Sequence, residues 1–164
     1  MRALIALLVL VASFAPAAAS AAGFEEEIVE RHNALRARHG ASPLRWSPDI
    51  AAYAEAWAEE NARTNRMHHR SEHRYGENIF WVSGGPLRAT TVVDAWYGEI
   101  SQYNYNNPGF SMSTGHFTQV VWRGSNYIGC GRARTQSGGT YVVCNYDPPG
   151  NFEGRYRANV LPPR

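Results

Sequence analysis

The sequence predicts an α+β domain in layers, and three observations predict it. Apolar residues recur at helical spacing through much of the chain, β-branched and aromatic runs gather near its end, and two of those runs flank a short turn as a hairpin. Helices first and strands mostly last imply a small antiparallel sheet with helices packed against it.

The first stretch lies outside that fold. Arg2, the apolar run Ala3 to Phe14 and the small residues Ala17, Ala19 and Ala21 have the layout of a secretory signal peptide. Residues 1–21 are therefore read as a leader and 22–164 as one domain. The apolar run is shorter than the roughly 20 residues that cross a bilayer, and no later segment approaches that length, so no transmembrane segment is expected. About 140 residues suffice for a hydrophobic core.

Glu25 to His39 places Ile28, His32, Leu35 and His39 on one stripe, with acids in the first turn and Gly40 as the stop, which predicts an amphipathic helix. Ser47-Pro48-Asp49 supplies a cap, a first-turn proline and an acid for a second helix ending near Asn65. Tyr75 to Val82 reads as a short strand before the turn residues Ser83-Gly84-Gly85-Pro86. Val92, Val93, Trp96, Ile100 and Tyr103 restore the helical period over Leu87 to Tyr103. Asn104 to Ser113 sustains neither period and is expected to be an ordered surface loop with aromatic content. Thr114 caps a short helix through Trp122, and the strands Tyr127 to Arg134 and Thr140 to Tyr146 close the hairpin around Gln136-Ser137-Gly138-Gly139. Folding that hairpin about Ser137 sets Cys130 opposite Cys144, so an exported chain is expected to join them as a disulfide, two free buried thiols being the alternative.

Composition narrows the function. The formal net charge is +2, and Arg2 leaves with the leader, so nothing draws a polyanion over distance and no nucleic-acid partner is expected. All 16 basic residues are arginine, which removes lysine Schiff-base chemistry. A His-rich loop at 68–73 leads into Glu77, Glu99 shares a helix face with Trp96 and Tyr103, and His116 heads another helix. Two imidazoles and two carboxylates meeting in one cleft would suit a divalent cation such as zinc or a general acid and base. His69-Arg70-Ser71-Glu72-His73 also fits H-x-x-E-H, a zinc-peptidase pattern, but the segment is short and Gly76 ends it.

GHFTQVVWRGS and YVVCNYDPPGNF resemble the two signatures of the CAP superfamily (cysteine-rich secretory proteins, antigen 5, pathogenesis-related class one proteins), and HNALRARHGASPLRW and YGENIF are similar to further family segments. The likeness runs from Ile28 to about Arg157. It implies an α-β-α sandwich and a cleft lined by His69, Glu77, Glu99 and His116, able to hold an optional zinc. It also implies a binder more than an enzyme: fungal members take sterols or small apolar lipids on the aromatic loop before GHFTQ, which here offers Tyr103, Tyr105, Phe110 and Met112. The expected protein is secreted and monomeric, with a secreted hydrolase as the alternative. CNYDPPGNFEG is similar to the junction where plant relatives release a signalling peptide, but the continuation RYRANV lacks the expected ending.

Overall fold

The computed structural model describes residues 23–164, and the leader assigned to residues 1–21 lies outside them. In chain order the elements are α1 (Phe24–Arg38), β1 (Arg45–Trp46), α2 (Pro48–Thr64), β2 (Gly76–Val82), α3 (Ala89–Gly98), a 3-10 turn (Glu99–Gln102), α4 (Gly115–Val120), β3 (Tyr127–Arg134), β4 (Thr140–Asp147) and α5 (Tyr156–Asn159). No described helix is long and apolar enough to cross a membrane.

The helix limits follow local chemistry. Gly40 leaves α1 at φ 63°, a conformation that costs glycine nothing. At α2 the Ser47 side chain accepts from the Ile50 N–H at 3.4 Å, Pro48 starts the first turn, and Asn65 ends the helix at φ 49°. The expected helix over Leu87 to Tyr103 is shorter: Arg88 is extended, and the chain tightens into the 3-10 turn after Gly98. The expected helix over Thr114 to Trp122 shrinks to α4, and Thr114 donates its hydroxyl to Ser111 O at 3.5 Å instead of capping. Helix α5 carried no periodic signal.

The sheet runs β1-β3-β4-β2. Its hairpin has the expected register, with Cys130 opposite Cys144, joined as a disulfide with Cα atoms 4.1 Å apart. The antiparallel expectation holds for β2–β4 and β3–β4 and fails at β1, which lies parallel to β3, making the sheet mixed. Two residues are too few to show alternation. Strand β1 exists because the neighbouring strand completes it, Arg45 N donating to Asn126 O at 3.0 Å and Ser47 N to Ile128 O at 2.9 Å.

Alternation along β4 divides the core. Tyr141 and Val143 face Ala54, Ala58 and Ala62 of α2, while Val142, Cys144 and Tyr146 face α1, α3 and α4. Helix α2 lies unusually close to β3: a Cβ built on Gly129 or Gly131 would stand 2.1 Å from the backbone of Ala51 or Glu55. Only glycine permits that approach.

The thicker side of the sandwich holds buried polar residues that tie α1 to the rest. Arg36 is fully buried and donates to the carbonyls of Ser42, Val120, Trp122 and Ser125, each at 2.9 Å, so it captures the C-terminal end of α4 and the turn after it. Burial lowers its pKa to about 10, so it stays charged at neutral pH. His32 Nδ1 donates to Ile28 O at 2.7 Å, while Nε2 pairs with the Tyr146 hydroxyl at 2.9 Å. Desolvation lowers the His32 pKa to about 4, which leaves the ring neutral. Asn78 continues the chain, donating to Tyr146 Oη at 3.3 Å and to His116 O at 3.1 Å. His39 bridges Leu161 O at 2.6 Å and the Tyr97 hydroxyl at 2.9 Å, pinning the C-terminal tail to α1 and α3.

Candidate functional site

A cleft of about 530 Å³ opens beyond the end of β2, between the 68–75 loop, the start of α4 and the turn after β4. His69, Glu77 and His116 line it. Glu99 stands behind His116, so the four residues singled out in the sequence form two imidazole–carboxylate pairs. Among the described residues, no three of the His, Cys, Asp and Glu side chains are grouped closely enough to hold a metal ion by themselves.

The first pair belongs to the loop after α2 and to β2. His69 Nδ1 donates to Glu77 Oε1 at 2.8 Å, and the same oxygen accepts from Arg70 N at 3.1 Å, while Asn145 Nδ2 reaches Oε2 at 3.3 Å. The second pair shows what the sequence reading of Thr114 missed. Glu99 Oε2 accepts from His116 N at 3.0 Å and Phe117 N at 3.1 Å, so a carboxylate from the preceding 3-10 turn caps α4. Its other oxygen accepts from His116 Nδ1 at 2.6 Å. Each carboxylate is thus occupied in fixing a ring, and each ring keeps Nε2 as a lone-pair donor. Each such nitrogen can donate its lone pair or accept a proton from a polar group.

The second wall is docked on α4. Gln119 accepts from Gly150 N at 2.9 Å and donates to Ser125 Oγ at 3.2 Å; a Cβ on Gly76 or Gly150 would fall 2.1 to 2.8 Å from its amide. Asn151 donates to Gly115 O at 2.9 Å and accepts from the Thr118 hydroxyl at 2.6 Å. These contacts present Phe152 at the rim. A glutamine inside the apolar run FTQVVW was the sequence signal for this wall; Phe152 gave none.

The aromatic loop divides. Tyr103 and Tyr105 pack inward against the core, their ring centroids 4.9 Å apart and Tyr103 5.5 Å from Phe117. Burial raises both phenols, that of Tyr105 to about 12. Phe110 and Met112 turn outward, 54% and 85% exposed, and both line the cleft. The ligand surface expected of four residues on the loop is therefore two of them, joined by Phe152 at 49% exposure from the opposite wall.

The remaining histidines separate clearly. His68 packs on Trp57 with ring centroids 4.8 Å apart, and His73 lines the cleft without a hydrogen bond among the described residues. The H-x-x-E-H segment is loop throughout, so its two histidines lack the shared helix face on which that zinc-peptidase pattern depends. Ser111 and Ser113 hydrogen-bond to each other at 2.9 Å and Ser125 donates to Pro148 O at 2.8 Å; among the described residues no serine bonds an imidazole.

Residues 29–146 match the profile of CAP, the cysteine-rich secretory protein family. The chain is 40% identical over 134 residues to a PR-1 type pathogenesis-related protein of Sambucus nigra, covering 79% of each. It is 38% identical over 146 residues to the Golgi-associated plant pathogenesis-related protein 1 of Homo sapiens, covering 86% of this chain and 94% of that one. Among solved structures, NaASP2 with Zn2+ superposes with a TM-score of 0.66 at 23% identity, covering 84% of each chain.

Proposed function

The chain belongs to the CAP family of cysteine-rich secretory proteins, and from that premise we propose that it is a secreted, monomeric, non-enzymatic binder of a sterol or other small apolar lipid. The carrying observation is the make-up of the cleft: Phe110, Met112 and Phe152, all exposed, rim the same space that His69, Glu77 and His116 line. Exposed apolar side chains at one concave site suit an apolar body, and polar groups beneath them suit a polar head. Covering 100 Å² of that rim is worth about 2.5 kcal/mol, so a modest contact area gives useful affinity.

We propose further that the same floor takes a divalent cation, zinc by donor chemistry, with solvent completing the two imidazoles. Nδ1 of His69 and of His116 is held by a carboxylate, which leaves the two Nε2 atoms as the ligands and makes Glu77 and Glu99 positioning partners. When bound, the ion would supply positive charge to hold a polar head group. The similar structure of NaASP2 was determined with Zn2+, which supports the reading.

The experiment uses the delipidated, metal-free protein with labelled cholesterol and with zinc. Phe110→Ser combined with Met112→Ser should weaken cholesterol binding about tenfold, and His116→Ala should abolish zinc uptake by elemental analysis while cholesterol still binds. Unchanged cholesterol affinity in the double variant refutes the reading. Metal-dependent turnover of a peptide or glycan that disappears in both His116→Ala and Glu99→Ala would install the hydrolase reading, which the two imidazole–carboxylate pairs favour.

A further inference from the structure

Arg70 lines the cleft beside His69, and its guanidinium is committed to no carboxylate. It lies over the ring of Tyr53 at 3.7 Å and of Trp57 at 5.0 Å. That platform is anchored to the loop it supports: Trp57 Nε1 donates to His68 O at 2.8 Å, and Tyr53 Oη donates to Glu72 O at 3.3 Å. The head group is thus preorganised, with little rotamer freedom left to lose.

Its donors are nonetheless mostly unused. One terminal nitrogen, Nη2, donates to Tyr53 O at 3.2 Å; Nε is buried with no acceptor and lies out of a ligand's reach, which leaves Nη1, without a hydrogen bond among the described residues, as the donor a ligand can meet. The carboxylates nearby do not claim them. Glu77 is already met by His69 Nδ1, Arg70 N and Asn145 Nδ2, and Glu99 by His116 Nδ1 and two backbone amides. Glu72 also lines the cleft, but its side chain makes no ion pair among the described residues. A stacked guanidinium with an unpaired terminal nitrogen at the wall of an apolar-rimmed cleft suits an oxygen of an oxyanion.

We propose that Arg70 selects the head group of the ligand, so that the cleft prefers amphiphiles ending in an oxyanion, a carboxylate or a phosphate monoester, over neutral ones of the same length. The head lies against Arg70, and the chain crosses Phe110, Met112 and Phe152. This rests on the reading of the cleft as an amphiphile site and names the ligand class within it.

The test compares laurate with dodecanol by calorimetry on the full secreted protein, together with Arg70→Gln, Arg70→Lys and Phe110→Ser. Laurate is expected to bind about tenfold more tightly than dodecanol, the size of one charged hydrogen-bonded contact at a partly open site. Arg70→Gln should bring laurate down to the dodecanol level and leave dodecanol unchanged, with Arg70→Lys recovering part of the difference. Phe110→Ser should weaken both ligands alike. Equal affinities in the unaltered protein, or an Arg70→Gln variant that loses both ligands equally, overturn the role of Arg70 and leave the amphiphile site standing. Failure of both ligands to bind overturns the role of Arg70, and the reading of the cleft as a lipid site is then decided by the cholesterol measurement. Inorganic phosphate displacing laurate at equal concentration identifies a free-anion site and also overturns the proposal.

Discussion

Acidification destabilises the interior of this fold through its buried histidines. His32 is fully buried, and desolvation lowers its pKa from 6.5 to about 4. Above pH 6.5 the ring is neutral in folded and unfolded chains alike, and it contributes no pH dependence. Between 6.5 and about 4 only the unfolded chain takes up the proton, so stability falls as pH falls, at about 1.4 kcal/mol per unit. The loss reaches about 2 kcal/mol at pH 5 and about 3 kcal/mol at pH 4, below which both states are protonated and the dependence ends. His39 is shifted in the same direction by burial and adds to the slope. Urea unfolding followed by tryptophan fluorescence at pH 7.5, 6, 5 and 4 measures the curve. Because carboxylates also titrate at the acid end, the informative quantity is the difference from His32→Gln, which should be less stable at pH 7.5 and flatter below it. Parallel curves for the two proteins between pH 7.5 and 5, or a His32 ring that titrates above pH 6 by NMR, would refute the reasoning.

Two further outcomes test the framework around the cleft. Arg36→Met removes the donor shared by the carbonyls of Ser42, Val120, Trp122 and Ser125, leaving buried acceptors unmet; it should cost about 3 kcal/mol or more in chemical denaturation and broaden the His116 NMR signal. Cys130→Ser with Cys144→Ser opens a bridge between residues 14 apart in sequence, and should lower stability by about 3 kcal/mol while leaving the zinc uptake proposed for the cleft as it is in the unaltered protein, since neither cysteine lines the cleft.

The legible parts of this molecule were those with a local signature. Ser47-Pro48, the stripe of α1 and the QSGG turn each carry their own chemistry, and the Cys130–Cys144 register follows from counting residues around that turn. Strand β1 was not legible because its conformation comes from pairing with a strand some eighty positions later, at Tyr127 and Ile128. The inward turn of Tyr103 and Tyr105 was hidden for a similar reason: an aromatic in a polar loop reads alike whether it finds solvent or, as here, the flank of Phe117. The two histidines and two glutamates were identified together, yet their division into pairs depends on Nδ1 geometry that spacing does not encode. Arg36 carried a signal that was passed over, since it falls four positions after His32 on the face of α1 that is buried.

The bare stretch of β3 at Gly129 and Gly131 reaches further than its own packing. The segment bearing His69 departs from the C-terminal end of α2, whereas His116 rides on α4 across the sheet, so the two rings are mounted on opposite plates of the sandwich. How far α2 sinks onto β3 therefore sets the gape between them. One methyl group at position 131, meeting Glu55 Cα at 2.1 Å, would jack that plate outward and carry His69 with it. The jaws of this cleft are gauged by a place where side chains are missing, and the reach between its two imidazoles can drift through a residue that touches neither.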